Sequence, residues 1–291
     1  MGFRVLCVSM KIFGIWPIPN SPRAHCIFYR FLWWFYLLNH LILILPTFHT
    51  FLNNNTGNVT LASITWLEMT GMMECMVILI NFKIQEKRLK ELLRVTKNQL
   101  NSTEASISLE NANLYVIIVS TIAILYIIVM YMYGNRPDRS TILTTTRYPF
   151  SIESTALKVL IFCNQFIAMS HTAVVMVTDG IFVLFSYVCA VRLKLLEKKL
   201  KTAKINKELK QYICEHQNIL FLIEETNVLV GIMIVKSIIC FMSYSIGVGL
   251  QIIDPKVSNF EVMNNFLTIV LIYLRLFISA ESAETMATVD T

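Results

Sequence analysis

A chain of 291 residues that is 55% hydrophobic and 15% charged, with a mean hydropathy of +0.60, carries more apolar surface than one soluble core of that length can bury. A soluble globular protein is therefore excluded and a membrane protein implied. The formal charge of +6 does not point to nucleic acid, because the basic residues are grouped between apolar runs rather than interleaved with exposed aromatics.

From the amino terminus, the first 26 residues lack an early apolar core followed by a small-residue cleavage site, so the first apolar run is read as a retained span. Six runs approach or exceed the roughly 20 residues that cross about 30 Å of hydrocarbon. They cover 29–50, 60–82, 113–134, 156–191, 228–253 and 262–280. The fourth, about 36 residues at about 1.5 Å each, is roughly 54 Å long and must project beyond the bilayer. After it comes a basic stretch with strong helix formers and neither Gly nor Pro before Gly231. Its apolar residues Leu195, Leu196, Leu200, Ile205, Leu209 and Ile213 recur at near-helical spacing, which predicts a pair of cytoplasmic helical extensions able to pack on copies of themselves.

Lys and Arg in the connections set the orientation. The amino-terminal segment and the second and fourth connections, all on one side, hold 17 basic residues, and the other side holds 4. The amino terminus is thus predicted to be cytoplasmic. Glycosylation sequons at Asn54 and Asn58 fall in the loop predicted to be outside, whereas one at Asn101 falls inside and should be silent. Cys26, Cys75, Cys163, Cys189 and Cys240 lie in or beside apolar runs and none lies in a predicted outer loop, so no disulfides are expected. The expected fold class is all-α, a polytopic transmembrane helix bundle over 1–280 with a short polar tail at 281–291.

Several polar residues lie near or within these runs. Cys214, His216, Glu224 and Glu225 cluster in sequence, yet no H-E-x-x-H or C-x-x-C pattern occurs. Glu224, Glu225 and Lys236 are read instead as partners for the basic loop at the membrane face. Glu68 and Glu74 in the second run are expensive in lipid and should face the bundle interior or water. His171, two helical turns from both Asn164 and Asp179, lacks a companion motif such as G-x-S-x-G and is expected to be packed and hydrogen-bonded. Arg275, near the centre of the last run, implies an inward-facing pore or partner surface, or an incomplete span. Neither enzyme activity, nor a metal, nor a cofactor is expected.

Aromatic and methionine residues form stripes at helical spacing. Trp66, Met69 and Met73 make one; Tyr126, Met130 and Tyr133 another; Phe162, Phe166 and Met169 a third. Phe241 and Tyr244 are placed to join them in the outer or middle part of the bundle. Such a lining suits a small apolar ligand, since Met and flat aromatic surfaces supply dispersion. Helix packing or lipid contact explains any single stripe equally well.

With "FGIWPIP" before the first span, "RYPFSIES" before a very long fourth, and "EHQNILFLIEETNVLV" leading into the fifth, the chain resembles the insect odorant receptors over about residues 1 to 275. Pro149, Phe150 and His216 are the best single matches. The resemblance implies a seven-helix subunit of inverted topology in the plasma membrane, assembled as a tetramer with a shared co-receptor subunit. It further implies that an odorant held in the outer half of the bundle gates a cation channel in olfaction. The ending departs from the pattern: "NFLTIVLIYLRLFISA" gives way to "ESAETMATVDT", where family members continue into a seventh, pore-lining helix. A gustatory-type chemoreceptor and a non-functional truncated receptor are the alternatives. A G-protein-coupled receptor would need the amino terminus outside, against the charge asymmetry, and a transporter would show repeated halves, of which there is no trace.

Overall fold

The computed structural model describes residues 2–12, 14–15, 22–53, 59–100, 150–202 and 206–253, together with 117, 121, 144, 146, 148, 266, 269–270, 272–277, 280–281 and 284. The described chain is helical: α1 (Gly2–Ile12), α2 (Arg23–Leu52), α3 (Val59–Ile84), α4 (Glu86–Leu100), α5 (Thr155–Thr202) and α6 (Asn206–Ile253). Residues 272–277 are helical as well. The helices α2 and α3 and the Leu209–Ile253 part of α6 are each long and apolar enough to cross a membrane. They correspond to the first, second and fifth predicted spans. The fourth lies within α5, which extends to 48 residues. The third, 113–134, lies outside the described stretches apart from isolated positions, and the sixth includes the helical residues 272–277.

The predicted extensions are continuous with their spans. The apolar run of α5 continues as helix through Thr202, and α6 begins at Asn206. Leu193, Leu196 and Ile219, with Tyr212 and Ile223 against them, hold the two extensions together as a small core of their own. Of the predicted stripe, Leu196 is buried, whereas Leu200, Leu209 and Ile213 are exposed. Ile205 is outside the described residues.

Two helices were hidden in the sequence. In the sequence the segment that forms α4 counts as a basic connection, because Lys and Arg dominate it. Its Leu89, Leu92, Leu93 and Thr96 recur on one face and are buried. The amino-terminal α1 buries Met10 fully. It ends where Gly14, at φ 68°, adopts the left-handed conformation. There the Gly14 N–H donates to the Lys11 carbonyl at 3.2 Å and the Ile15 N–H to that of Met10 at 2.9 Å, closing the helix with two carbonyls satisfied. A Cβ at Gly14 would stand 3.1 Å from the backbone nitrogen of Trp33, so the position needs glycine for conformation and for space.

The central helix is α3, which packs on α2, α4, α5 and most extensively on α6. The main core gathers Ile78, Leu79 and Phe82 of α3, Leu89 and Leu92 of α4, Leu184 and Phe185 of α5, and Leu229 and Met233 of α6, with Met10 and Ile15 beneath. At the middle of α3 two glycines allow a closer approach. A Cβ on Gly71 would lie 2.8 Å from the Tyr244 hydroxyl, and one on Gly247 2.7 Å from a Leu67 methyl. Glycine here lets α3 and α6 approach, as small residues do between membrane helices.

Candidate functional site

The middle of the bundle holds a buried ionic cluster drawn from four segments. Lys236 of α6 donates to Glu74 Oε1 of α3 at 2.7 Å, and Arg275 Nη2 donates to the same oxygen at 2.9 Å. Arg275 Nε in turn donates to Asp179 Oδ2 of α5 at 2.6 Å. No side chain in the cluster is more than 14% exposed. Two carboxylates face two cations, so the cluster is neutral, and each charge has an opposite partner at hydrogen-bond distance. That arrangement makes four ionisable groups tolerable in a low-dielectric interior.

This geometry corrects one expectation and sharpens two others. Lys236 does not serve the basic loop; it is buried against Glu74. Nor does Glu225, which pairs with Arg88 of α4 at 3.0 Å. The basic loop is met instead by Glu215, whose carboxylate accepts from Lys199 at 2.9 Å. Glu74 faces the interior, as its insertion cost demanded, and Arg275 is turned inward onto Glu74 and Asp179.

A second polar layer joins α2 to α5. Asn164 donates to Asn39 Oδ1 at 2.6 Å, and Asn39 donates back to the Asn164 carbonyl at 3.2 Å. One step along, the His171 ring lies parallel to Tyr36 with centroids 4.4 Å apart and meets His40 edge-on at 4.9 Å. Cys75 Sγ donates to the His171 carbonyl at 3.7 Å. His171 is thus packed, although its packing is aromatic. Asn164, His171 and Asp179, grouped in the sequence by their two-turn spacing, serve three different contacts. His40, Cys75 and His171 bring ligand-capable atoms within 4.8 Å of one another, the set of described residues best disposed to hold a soft metal ion. No local motif announces it, because the three residues come from three helices.

Beside the ionic cluster is a small cavity of about 10 Å³, the space of about one water, lined by Ser237, Cys240, Phe241, Tyr244, Ile272 and Leu276 together with Asp179 and Arg275. Phe241 meets Tyr273 edge-on with centroids 4.9 Å apart. Phe241 and Tyr244, both singled out from the sequence, therefore stand together here. The other stripe residues are placed differently. Trp66 is partly exposed and tilts against Phe51, and Met73 is exposed. Phe166 is exposed and stacks on a half-buried Phe162, and Met69 and Met169 are half-buried. Tyr126, Met130 and Tyr133 lie outside the described residues, as do Asn54 and Asn58.

The cavity's polar wall was only partly legible in the sequence. In the sequence Asp179 stands out only by its two-turn spacing from His171 and Arg275 as a charge near the centre of the last run, and nothing in their spacing of 96 residues pairs them. Opposite charges stranded in different spans were the available signal.

The chain matches no protein-family model and no curated protein sequence. Among solved structures it is similar to the insect olfactory receptor OR5 from Machilis hrabei in complex with eugenol. The TM-score is 0.76 at 16% identity, over 94% of this chain and 77% of that one. A second structure of that receptor gives a TM-score of 0.73 at 14% identity, over 99% of this chain and 80% of the other. The chain has the fold of an insect olfactory receptor.

Proposed function

We propose that this chain is an odorant receptor subunit of the plasma membrane. It binds a small apolar molecule within the helix bundle and, with a co-receptor subunit, gates a cation channel. The fold likeness to a receptor solved in complex with eugenol carries the reading. The cavity between α6 and residues 272–277 adds to it, since Phe241, Tyr244 and Ile272 offer apolar surface next to a few oriented polar groups.

The cavity is too small for an odorant as it stands, so binding requires α6 and residues 272–277 to separate. A ligand that favours the separated arrangement shifts the population towards it, which is the thermodynamic requirement for gating. Arg275, on the moving segment, stays tied to Glu74 and Asp179 and so communicates that separation to α3 and α5.

The test is odorant-evoked cation current in cells expressing this chain with and without the co-receptor, across hydrocarbons, esters and alcohols. Current that needs this chain, with potency falling at least about tenfold in Tyr244→Ala at unchanged surface expression, is the expected result. Silence at confirmed surface expression across the panel would overturn the proposal. Orientation is tested separately: Asn54 and Asn58 should be glycosylated and Asn101 should not.

A further inference from the structure

A larger cavity, of about 110 Å³, opens at the carboxyl-terminal end of α3, where the starts of α2 and α4 meet the turn after α1. Its lining carries two chemistries. Tyr29, Trp33 and Phe82 give it aromatic walls, while Arg30, Lys83 and Lys90 bring three cations against the single carboxylate of Glu86. Glu86 accepts from Lys83 at 2.7 Å and from Lys90 at 3.1 Å, so both ammonium groups are gathered on one carboxylate. Trp33 is fixed in turn by its indole N–H, which donates to the Leu79 carbonyl at 3.1 Å.

The place of the cleft along the helices explains the mixture. The α2 helix begins at Arg23 and α3 ends at Ile84, and the cleft lies between these two ends, which for two spanning helices is the level at which a membrane boundary falls. Trp33 and Phe82 lie further into their helices than Lys83, Glu86 and Lys90, whereas Tyr29 and Arg30 are neighbours on α2, so the cleft offers aromatic surface and cations side by side. A ligand that satisfies both must be an amphiphile with an anionic head. A guanidinium and two ammonium groups suit phosphate oxygens in particular.

We propose that this cleft binds the phosphorylated headgroup of an anionic phospholipid, with the lipid's glycerol and upper acyl carbons against Tyr29, Trp33 and Phe82. The proposal rests on the receptor reading above with the amino terminus cytoplasmic, as the basic connections predict, which puts the cleft at the cytoplasmic leaflet, where anionic lipids are concentrated and basic pockets between spans hold their headgroups. Glu86 then limits affinity, because it competes with phosphate for Lys83 and Lys90.

The experiment titrates the purified full chain in detergent micelles with a fluorescent phosphatidylinositol bisphosphate. Both faces are accessible in micelles and no current is read, so neither orientation nor odorant response enters the result. Saturable binding is expected, weakened about thirtyfold in the double variant Arg30→Gln/Lys90→Gln. Glu86→Gln should bind more tightly, a gain that a misfolded variant would not show. Arg94→Gln, on the exposed face of α4, should bind as the parent chain does. Undiminished binding in the double variant, or weaker binding in Glu86→Gln, would overturn the proposal. Soluble glycerophosphoinositol bisphosphate, the same headgroup without its acyl chains, should bind less tightly than the lipid; equal affinity would overturn the assignment to a lipid and mark the cleft as a site for a free phosphate ester.

Discussion

Ion pairs of similar length occur in two regions of this molecule and carry different weight. On the extensions of α5 and α6, Lys199 meets Glu215 at 2.9 Å with side chains 45% and 35% exposed. Inside the bundle, Lys236 meets Glu74 at 2.7 Å with side chains 5% and 3% exposed. The outer pair is screened by water and salt, and such pairs are worth roughly 0 to 1 kcal/mol. The inner pair cannot be opened without leaving a charge in a low-dielectric interior. Burial, rather than distance, decides what an ion pair does for a fold.

That contrast can be broken most directly at Glu74. In Glu74→Gln, Lys236 loses its carboxylate and Arg275 keeps Asp179 alone, and stability should fall by about 3–5 kcal/mol, read as loss of folded protein in detergent thermal melts. The double variant Glu74→Met/Lys236→Met keeps Arg275 with Asp179 and restores neutrality, so it should recover most of the loss. If the double variant were as unstable as the single, the cost would lie in packing rather than in charge.

The next effects test close packing and helix closure, which use no charge. Gly247→Val adds carbons where Leu67 already stands and should cost about 1–3 kcal/mol in the same melts. Gly14→Ala forces a side chain into the left-handed region against the Trp33 backbone. It should cost at least about 1–2 kcal/mol and loosen α1, which hydrogen exchange at Met10 to Ile15 would report.

The smallest effects belong to the exposed pairs. Lys199→Ala should change stability by less than about 1 kcal/mol and lose even that in high salt. Glu86 titrates in the same outer class. Partial burial raises its pKa, but hydrogen bonds from Lys83 and Lys90 outweigh burial and hold it below the usual carboxylate range. Hydrogen bonding from Arg94 lowers Glu91 likewise, and hydrogen bonding from Lys201 lowers Glu197. A carboxyl with a lowered folded pKa stabilises fully above its unfolded pKa and loses that contribution as pH falls through the folded value. Melts should therefore be flat from neutral pH down to the ordinary carboxylate range and decline gently below it, with Glu86→Gln removing part of the decline.

How much of this was legible in the sequence depends on the range of the interaction. The unbroken passage of α5 into a basic extension could be read, because length and helix-forming residues are local properties. The helical nature of α4 is equally local, but its many Lys and Arg residues mask the Leu89, Leu92, Leu93 and Thr96 face. In the cavity, Phe241 and Tyr244 were visible as one turn of a helix, whereas their meeting with Asp179, Ile272 and Arg275 was not.

By itself, then, the sequence determined that this chain is a helical membrane protein with long spans, charged connections and ionisable residues that had to find partners, because hydrocarbon tolerates neither open backbone nor lone charge. Only the tertiary structure decided who the partners are. Glu74, Asp179, Lys236 and Arg275 lie in four separate segments, and every alternative pairing of two anions with two cations satisfies the same composition. The choice was made where the chain can pack: Gly71 and Gly247 bring α3 against α6, and that approach places Lys236 on Glu74.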